Sequence, residues 1–231
     1  MISMLRFIKP ASQWLFSLCL PVLLLTASVS TAANCPALYR YGFEKYDISR
    51  VTRLAPAELD KAATGLIGYF NGNEEYINIV VEKDGQPFQL FNDKEVTHLK
   101  DVKGLFRLVY KVLLGTGVYA LVFAAVSLFW WREKRRLGKA LFSGGGLTLA
   151  VMAVTGIIIA IDFDWFFLQF HLFSFANDFW MLDPATDYLI MMFPQGFWLD
   201  AALACAAATA AGAVILGGAG WWLMRKKGLN A

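Results

Sequence analysis

Val112-Leu113-Leu114-Gly115-Thr116-Gly117-Val118-Tyr119-Ala120-Leu121-Val122-Phe123-Ala124-Ala125-Val126-Ser127-Leu128-Phe129-Trp130-Trp131 runs directly into Arg132-Glu133-Lys134-Arg135-Arg136-Leu137-Gly138-Lys139. The first stretch is 20 residues without a charge, long enough for a helix to cross about 30 Å of hydrocarbon. The second places five cations against one acid immediately beyond it, the pattern of a cytoplasmic loop. Outward from this pair lie three further apolar runs: Trp14–Ala32, Ala140–Ile161 and Ala201–Met224. All four are 19 to 24 residues long. Helices satisfy their own backbone hydrogen bonds in lipid, so four spanning helices are the economical reading.

Composition agrees. The 231 residues are 58% hydrophobic and 17% charged, with mean hydropathy +0.50. That is more apolar surface than a soluble domain of this size hides, which argues against a soluble enzyme and a disordered tail. A net charge of +3 is too small to call for a nucleic-acid partner.

The basic residues set the orientation. Arg6, Lys9, Arg132, Lys134, Arg135, Arg136, Lys139, Arg225, Lys226 and Lys227 face one acid, Glu133. Residues 33–111 carry 11 basic and 11 acidic side chains, and 162–200 carry six acids and no Lys or Arg. Both termini are therefore expected in the cytoplasm, with residues 33–104 and 162–200 on the outer face of the membrane. The expected order is: 1–32, first transmembrane helix; 33–104, extracytoplasmic cap; 105–131, second helix; 132–139, basic cytoplasmic loop; 140–161, third helix; 162–200, aromatic interfacial segment; 201–224, fourth helix; 225–231, cytoplasmic tail. The fold class is an all-α membrane bundle of four transmembrane helices with a small α+β cap between the first and second. The basic start, apolar core and Ser30-Thr31-Ala32 also fit a cleavable signal peptide; the reading retains the helix.

Within the cap, the spacing of Leu59, Ala62, Leu66, Ile67 and Phe70 predicts an amphipathic helix over 55–70, ended by Gly72. Tyr76–Val81 and Phe88–Phe91 flank Lys83-Asp84-Gly85-Gln86, a hairpin signal. Asn92 with Glu95 three residues on reads as a helix start. Small residues from Ala206 to Gly212 suit close helix–helix contact. The cysteines, Cys19, Cys35 and Cys205, form no CxxC, which disfavours a disulfide oxidase.

The chain has two histidines, and the charge rule sends both to one membrane face. His98 follows the expected helix start, with Asp101 one turn on, where a carboxylate can fix an imidazole tautomer. His171 lies in a segment with 13 aromatic residues between Phe163 and Trp198, interleaved with Asn177, Asp178, Asp183 and Asp187. An ordinary aromatic belt is the plain alternative, but a belt does not ask for His, Asn and several acids. Two imidazoles at one interface can do acid–base work without a covalent nucleophile. A zinc site of both histidines with Asp162, Asp164 or Asp178 is the rival, although no ligand-spacing motif supports it. Arg107 and Lys111, one turn apart at the outer end of the second span, either snorkel to lipid headgroups, hold a phosphate, or pair with Asp162 or Asp164.

Two motifs resemble a bacterial family of four-helix membrane proteins that includes the lipoprotein intramolecular transacylases. The first is Glu95-Val96-Thr97-His98-Leu99-Lys100-Asp101-Val102. The second spans Phe170-His171, Asn177-Asp178-Phe179-Trp180, Leu182-Asp183-Pro184, Asp187-Tyr188-Leu189-Ile190 and Phe193-Pro194. The resemblance implies an acyltransferase acting on a diacylated lipoprotein within membrane lipid. The acyl chain would move from the sn-2 glycerol oxygen to the α-amine of the lipidated cysteine, giving the lyso form. It implies His98 and His171 as the essential pair, with no cofactor and no metal. On this reading His171 serves as base and His98, oriented by Asp101, as acid, although the reverse order fits the sequence equally. Asn177, Asp178 and Trp180 orient His171 or line a pocket with Asp183 and Asp187, and Phe166, Phe167, Phe173 and Phe175 face lipid or acyl chains. A non-catalytic envelope partner docking through the aromatic segment is the alternative. No motif sets an oligomeric state.

Overall fold

A computed structural model describes residues 2–225, without the side chains of residues 2–6. Arg6, Lys226 and Lys227 of the charge reading, and the tail beyond Arg225, lie outside the described residues. Helix α1 spans Ile2–Ala33, followed by α2 (Pro36–Lys45), α3 (Ile48–Thr52) and α4 (Pro56–Asn71). Strands β1 (Val80–Lys83) and β2 (Gln86–Gln89) precede α5 (Asp93–Ala125), which passes into a π-helical turn at Val126–Trp130. Then come α6 (Lys134–Ile161), α7 (Phe163–Ser174), α8 (Tyr188–Met192) and α9 (Gln195–Arg225). Among the described residues four helical stretches are long and apolar enough to cross a membrane: Phe7–Ala33, Asp93–Trp130, Lys134–Ile161 and Gln195–Arg225. They overrun the apolar runs because polar turns extend them; α5 starts at Asp93, well before the apolar run begins at Val112.

The chain divides into two compact units. One comprises the chain through Val29, Val109–Ile158 and the chain from Ala204 on. Its buried core is small, built on Phe16, Leu20, Phe123, Leu137 and Ala140. Large side chains such as Leu121, Phe129, Ile157 and Ile215 are exposed, as lipid-facing positions must be. Helices α6 and α9 meet through glycine. A Cβ on Gly138 would stand 2.7 Å from the Gly220 carbonyl oxygen, and one on Gly145 3.1 Å from the Gly217 Cα, so backbones touch where side chains are missing. The π turn shows in the bond from Trp131 N to Val126 O at 2.8 Å, five residues back.

The second unit, Ser30–Leu108 with Ile159–Leu203, has the larger core. Tyr39, Phe43, Leu59, Leu66, Val81, Leu90, Leu99 and Met192 are among its buried residues. The amphipathic helix is α4, which starts on Pro56 and ends at Gly72. The hairpin forms with shorter strands than the sequence predicts, Val80 pairing with Gln89 and Lys83 with Gln86. Its turn residues Asp84 and Gly85 have φ of +51° and +75°, the conformation an Asp-Gly hairpin turn demands. Residues 76–79 carry no strand assignment, although Leu90 N still bonds Ile79 O at 3.0 Å.

Candidate active site

Helix α5 opens with the capping pair. Glu95 N donates to Asn92 Oδ1 at 3.0 Å, and Asn92 N donates to Glu95 Oε2 at 2.8 Å. Two otherwise orphaned N–H groups are thereby satisfied. The other Glu95 oxygen accepts from Leu189 N at 2.6 Å, and Asn92 Nδ2 donates to Asp187 Oδ1 at 2.9 Å. Asp187 also accepts from Asp183 N at 2.8 Å and from Thr186 Oγ1 at 3.1 Å. Burial would raise the Asp187 carboxyl, but these hydrogen bonds outweigh it and hold it below the usual carboxylate range. This network, built on the buried Glu95 and Asp187, ties the start of α5 to α8, one turn before His98.

His98 and His171 are 7% and 9% exposed, with ring centroids 6.3 Å apart and planes 29° apart. His171 Nδ1 lies 2.8 Å from the Phe167 carbonyl oxygen. A carbonyl only accepts, so Nδ1 carries the proton and the neutral ring presents its lone pair at Nε2. Burial pushes the His171 imidazole below its ordinary range, opposed by that hydrogen bond. His98 differs: among the described residues its buried Nδ1 has no hydrogen-bond partner. An unpaired buried nitrogen is costly and stands ready for a group brought in by substrate.

Aromatic rings close the site. Phe175 meets His98 edge-on at 4.9 Å and lies 5.6 Å from His171. Phe167 and Trp180 approach His171 at 4.4 and 5.0 Å. Phe167 and Phe175 were expected to face lipid or acyl chains; both turn to the imidazoles, and Phe175 is buried. Phe173 is 94% exposed, as expected of it.

The expected helpers divide. Asp101 makes its hydrogen bond to Asn177 Nδ2, at 2.9 Å, rather than to His98. Asn177 therefore braces Asp101 instead of His171, and its Oδ1 accepts from Phe179 N. Trp180 lies against His171, while Asp178 is exposed. Asp183 and Asp187 belong to the network that anchors α5, with Asp183 Oδ1 also accepting from Ala185 N. Arg107 lines a cavity with Asp101 and Asn177. Lys111 is exposed and lies in the other unit. Asp162 caps α7 through Trp165 N, and Asp164 accepts from Gln195; neither is seen to pair with Arg107. Among the described residues no three His, Cys, Asp or Glu side chains gather as metal ligands. The contact of Phe175 with both imidazoles and the bond of the Phe167 carbonyl to His171 were not foreseen from the sequence. Their spacing four residues either side of His171 was the available signal.

Fold and site define a class: a multi-pass membrane protein that buries an imidazole pair within aromatic rings. The sequence model described as "Lipoprotein intramolecular transacylase Lit" matches residues 14–198. The chain belongs to the lipoprotein intramolecular transacylase family and is an acyltransferase of lipoprotein modification. A solved structure of the membrane integral lipoprotein intramolecular transacylase Lit from Bacillus cereus is similar with TM-score 0.80 and 20% identity, over 95% of this chain and 97% of that one. Two structures of the same Bacillus cereus protein carry a single histidine changed to arginine or to alanine. They match with TM-scores 0.76 and 0.77, each at 20% identity and over 97% of this chain, covering 96% and 97% of theirs. No curated protein matches the chain.

Proposed function

We propose that this protein moves the sn-2 acyl chain of a lipoprotein's diacylglyceryl-cysteine to the cysteine α-amine, using His171 as base and His98 as acid. The observation that carries the reading is the imidazole pair at 6.3 Å, with His171 Nδ1 committed to a carbonyl. The substrate α-ammonium has pKa of about 7.7–8 and is mostly protonated at neutral pH. The ammonium first releases one proton to solvent, which frees the nitrogen lone pair, and Nε2 of His171 takes a second as that nitrogen bonds the ester carbonyl carbon. Protonated His98 donates a hydrogen bond towards the tetrahedral oxyanion. When the carbon–oxygen bond to glycerol breaks, His98 gives its proton to the departing oxygen, leaving an amide and a free sn-2 hydroxyl, and the proton held by His171 restores His98 through solvent. Nucleophile and ester belong to one molecule, so holding it bent supplies much of the rate.

The charge asymmetry supports cytoplasmic termini and a site on the outer face, with the boundaries given above and lipid around the bundle. Arg107 and Lys111 then lie at headgroup level. The test is tandem mass spectrometry of a reporter lipoprotein in a host lacking its other lipoprotein N-acylating enzymes, expressing this protein or its His171→Gln form. N-acyl, sn-2-lyso peptide with the wild type alone is expected. Unmodified diacyl peptide in both strains, with the protein confirmed in the membrane, would overturn the reading.

A further inference from the structure

A cavity of about 650 Å³ is lined by Phe175, the ring that touches both imidazoles, and by Asp101, one turn beyond His98 on α5. Its size is that of a ligand site, about 300–1,000 Å³, yet the site chemistry above does not use it. Its walls mix apolar surface with both signs of charge. Lys100, Lys103 and Arg107 line it together with Glu74, Glu75 and Asp101. Lys100 is paired with Glu75 at 2.6 Å, and Lys103 donates to the Glu74 main-chain oxygen at 2.6 Å.

The charged groups among them are poor partners for an acyl chain, which loses nothing by staying in lipid. A phosphate would meet three carboxylates as well as three cations. A peptide main chain alternates N–H donors and carbonyl acceptors, and a wall of interleaved cations and carboxylates answers both. Gly104 sharpens the point. It lies inside α5, where glycine is a poorer helix former than alanine. No atom lies within 4 Å of where its Cβ would stand, so internal packing does not demand glycine. Gly104 is one of the residues that line the cavity.

We propose that this cavity, with Gly104 in its wall, binds the peptide segment that follows the lipidated cysteine of the substrate. The inference rests on the transacylase reading. It makes the enzyme read more than lipid: an α-amine held between the imidazoles lets the next residues run past Phe175 into that chamber.

The experiment uses the full-length protein and synthetic diacylglyceryl-cysteine substrates, one ending at the cysteine amide and others extended by one to four residues. With wild type, kcat/KM should rise with peptide length. Gly104→Leu should lower the ratio of kcat/KM for the longest against the shortest substrate about tenfold, the factor that one or two lost hydrogen bonds make. Gly104→Ala should lower it less. A wild-type kcat/KM independent of peptide length overturns the inference without recourse to any variant. Equal effects of Gly104→Leu on both substrates overturn it too. Wild type converting none of them sinks the transacylase reading itself, a separable result because it shows before lengths are compared.

Discussion

Helices α5 and α7 each deliver one imidazole and hold it by different means. The α5 side is fixed from outside the ring. Asn92, Glu95, Asp187 and Leu189 lock the helix start through a hydrogen-bond network, and His98 itself keeps an unpartnered Nδ1. The α7 side is fixed at the ring. His171 bonds the carbonyl of its own helix and is flanked by Phe167, Phe170 and Trp180, while much of the outer surface of α7, including Phe173, is exposed. A base needs its tautomer chosen in advance, and a backbone carbonyl one turn away chooses it without a second charged group. An acid that meets a developing oxyanion needs a placed ring with a nitrogen still to be claimed. The contrast between a locked ring and a locked helix is what favours His171 as base and His98 as acid in the proposed reaction.

The comparison can be broken at its strongest point first. His171→Gln and His98→Gln should each cut turnover by about 10²–10⁴-fold, the range of a lost acid or base, with membrane levels unchanged by immunoblot. Full activity in either variant would dissolve the paired assignment. Next comes the α5 anchor. Asp187→Ala leaves the Asn92 amide and Asp183 N without their acceptor, and should cost about 2–3 kcal/mol of stability, read as a lower unfolding temperature in detergent. The equivalent loss of contact at exposed Phe173, by Phe173→Ala, should leave that temperature unchanged.

The tautomer is open to direct reading. Nitrogen NMR of the His171 ring should show the neutral form protonated at Nδ1, with a titration midpoint below the ordinary value of about 6.5. Because the folded imidazole is depressed, its contribution to stability is complete above that ordinary value and declines as pH falls through it. A midpoint above 6.5 would reverse the sign. The smallest effect is expected at Asp101. Its hydrogen bond goes to Asn177, so Asp101→Asn should lower kcat for a cysteine-amide substrate less than about tenfold, far short of either histidine change. A loss as deep as that of His98→Gln would restore Asp101 as its orienting partner.

Much of this fold is legible in the chain. Apolar run length finds four spanning helices, and Asn92 with Glu95 marks the start of α5 as the structure has it. Asp84-Gly85 marks the hairpin because only a few residue types accept φ > 0 twice in succession. Side-chain partners are less legible. Spacing put Asp101 on the His98 face, but whether it bonds His98 depends on a competing donor 76 residues away, Asn177. Likewise an aromatic-rich segment announces burial of some rings without saying which: Phe173 and Phe175 are two residues apart, one exposed and the other against both histidines. Helix ends break the periodicity on which such predictions rest.

The π-helical turn at Val126–Trp130 has a consequence for the geometry of the chain beyond it. A π turn holds one residue more than the α turn it replaces, and each residue of an α-helix advances the chain by about 100° of rotation. That extra residue works as a phase shifter at the end of a long rod. It leaves everything before Val126 in register and turns Trp131, Arg132 and Glu133 to a different bearing. Winding the same residues as an ordinary α turn would change the length of the rod by little, yet point the Glu133 carboxylate, which holds Lys9 and Arg136 at 2.5 Å, about a quarter-turn away. The ion pairs at Glu133 thus depend on how that one turn is wound more than on the identity of its residues.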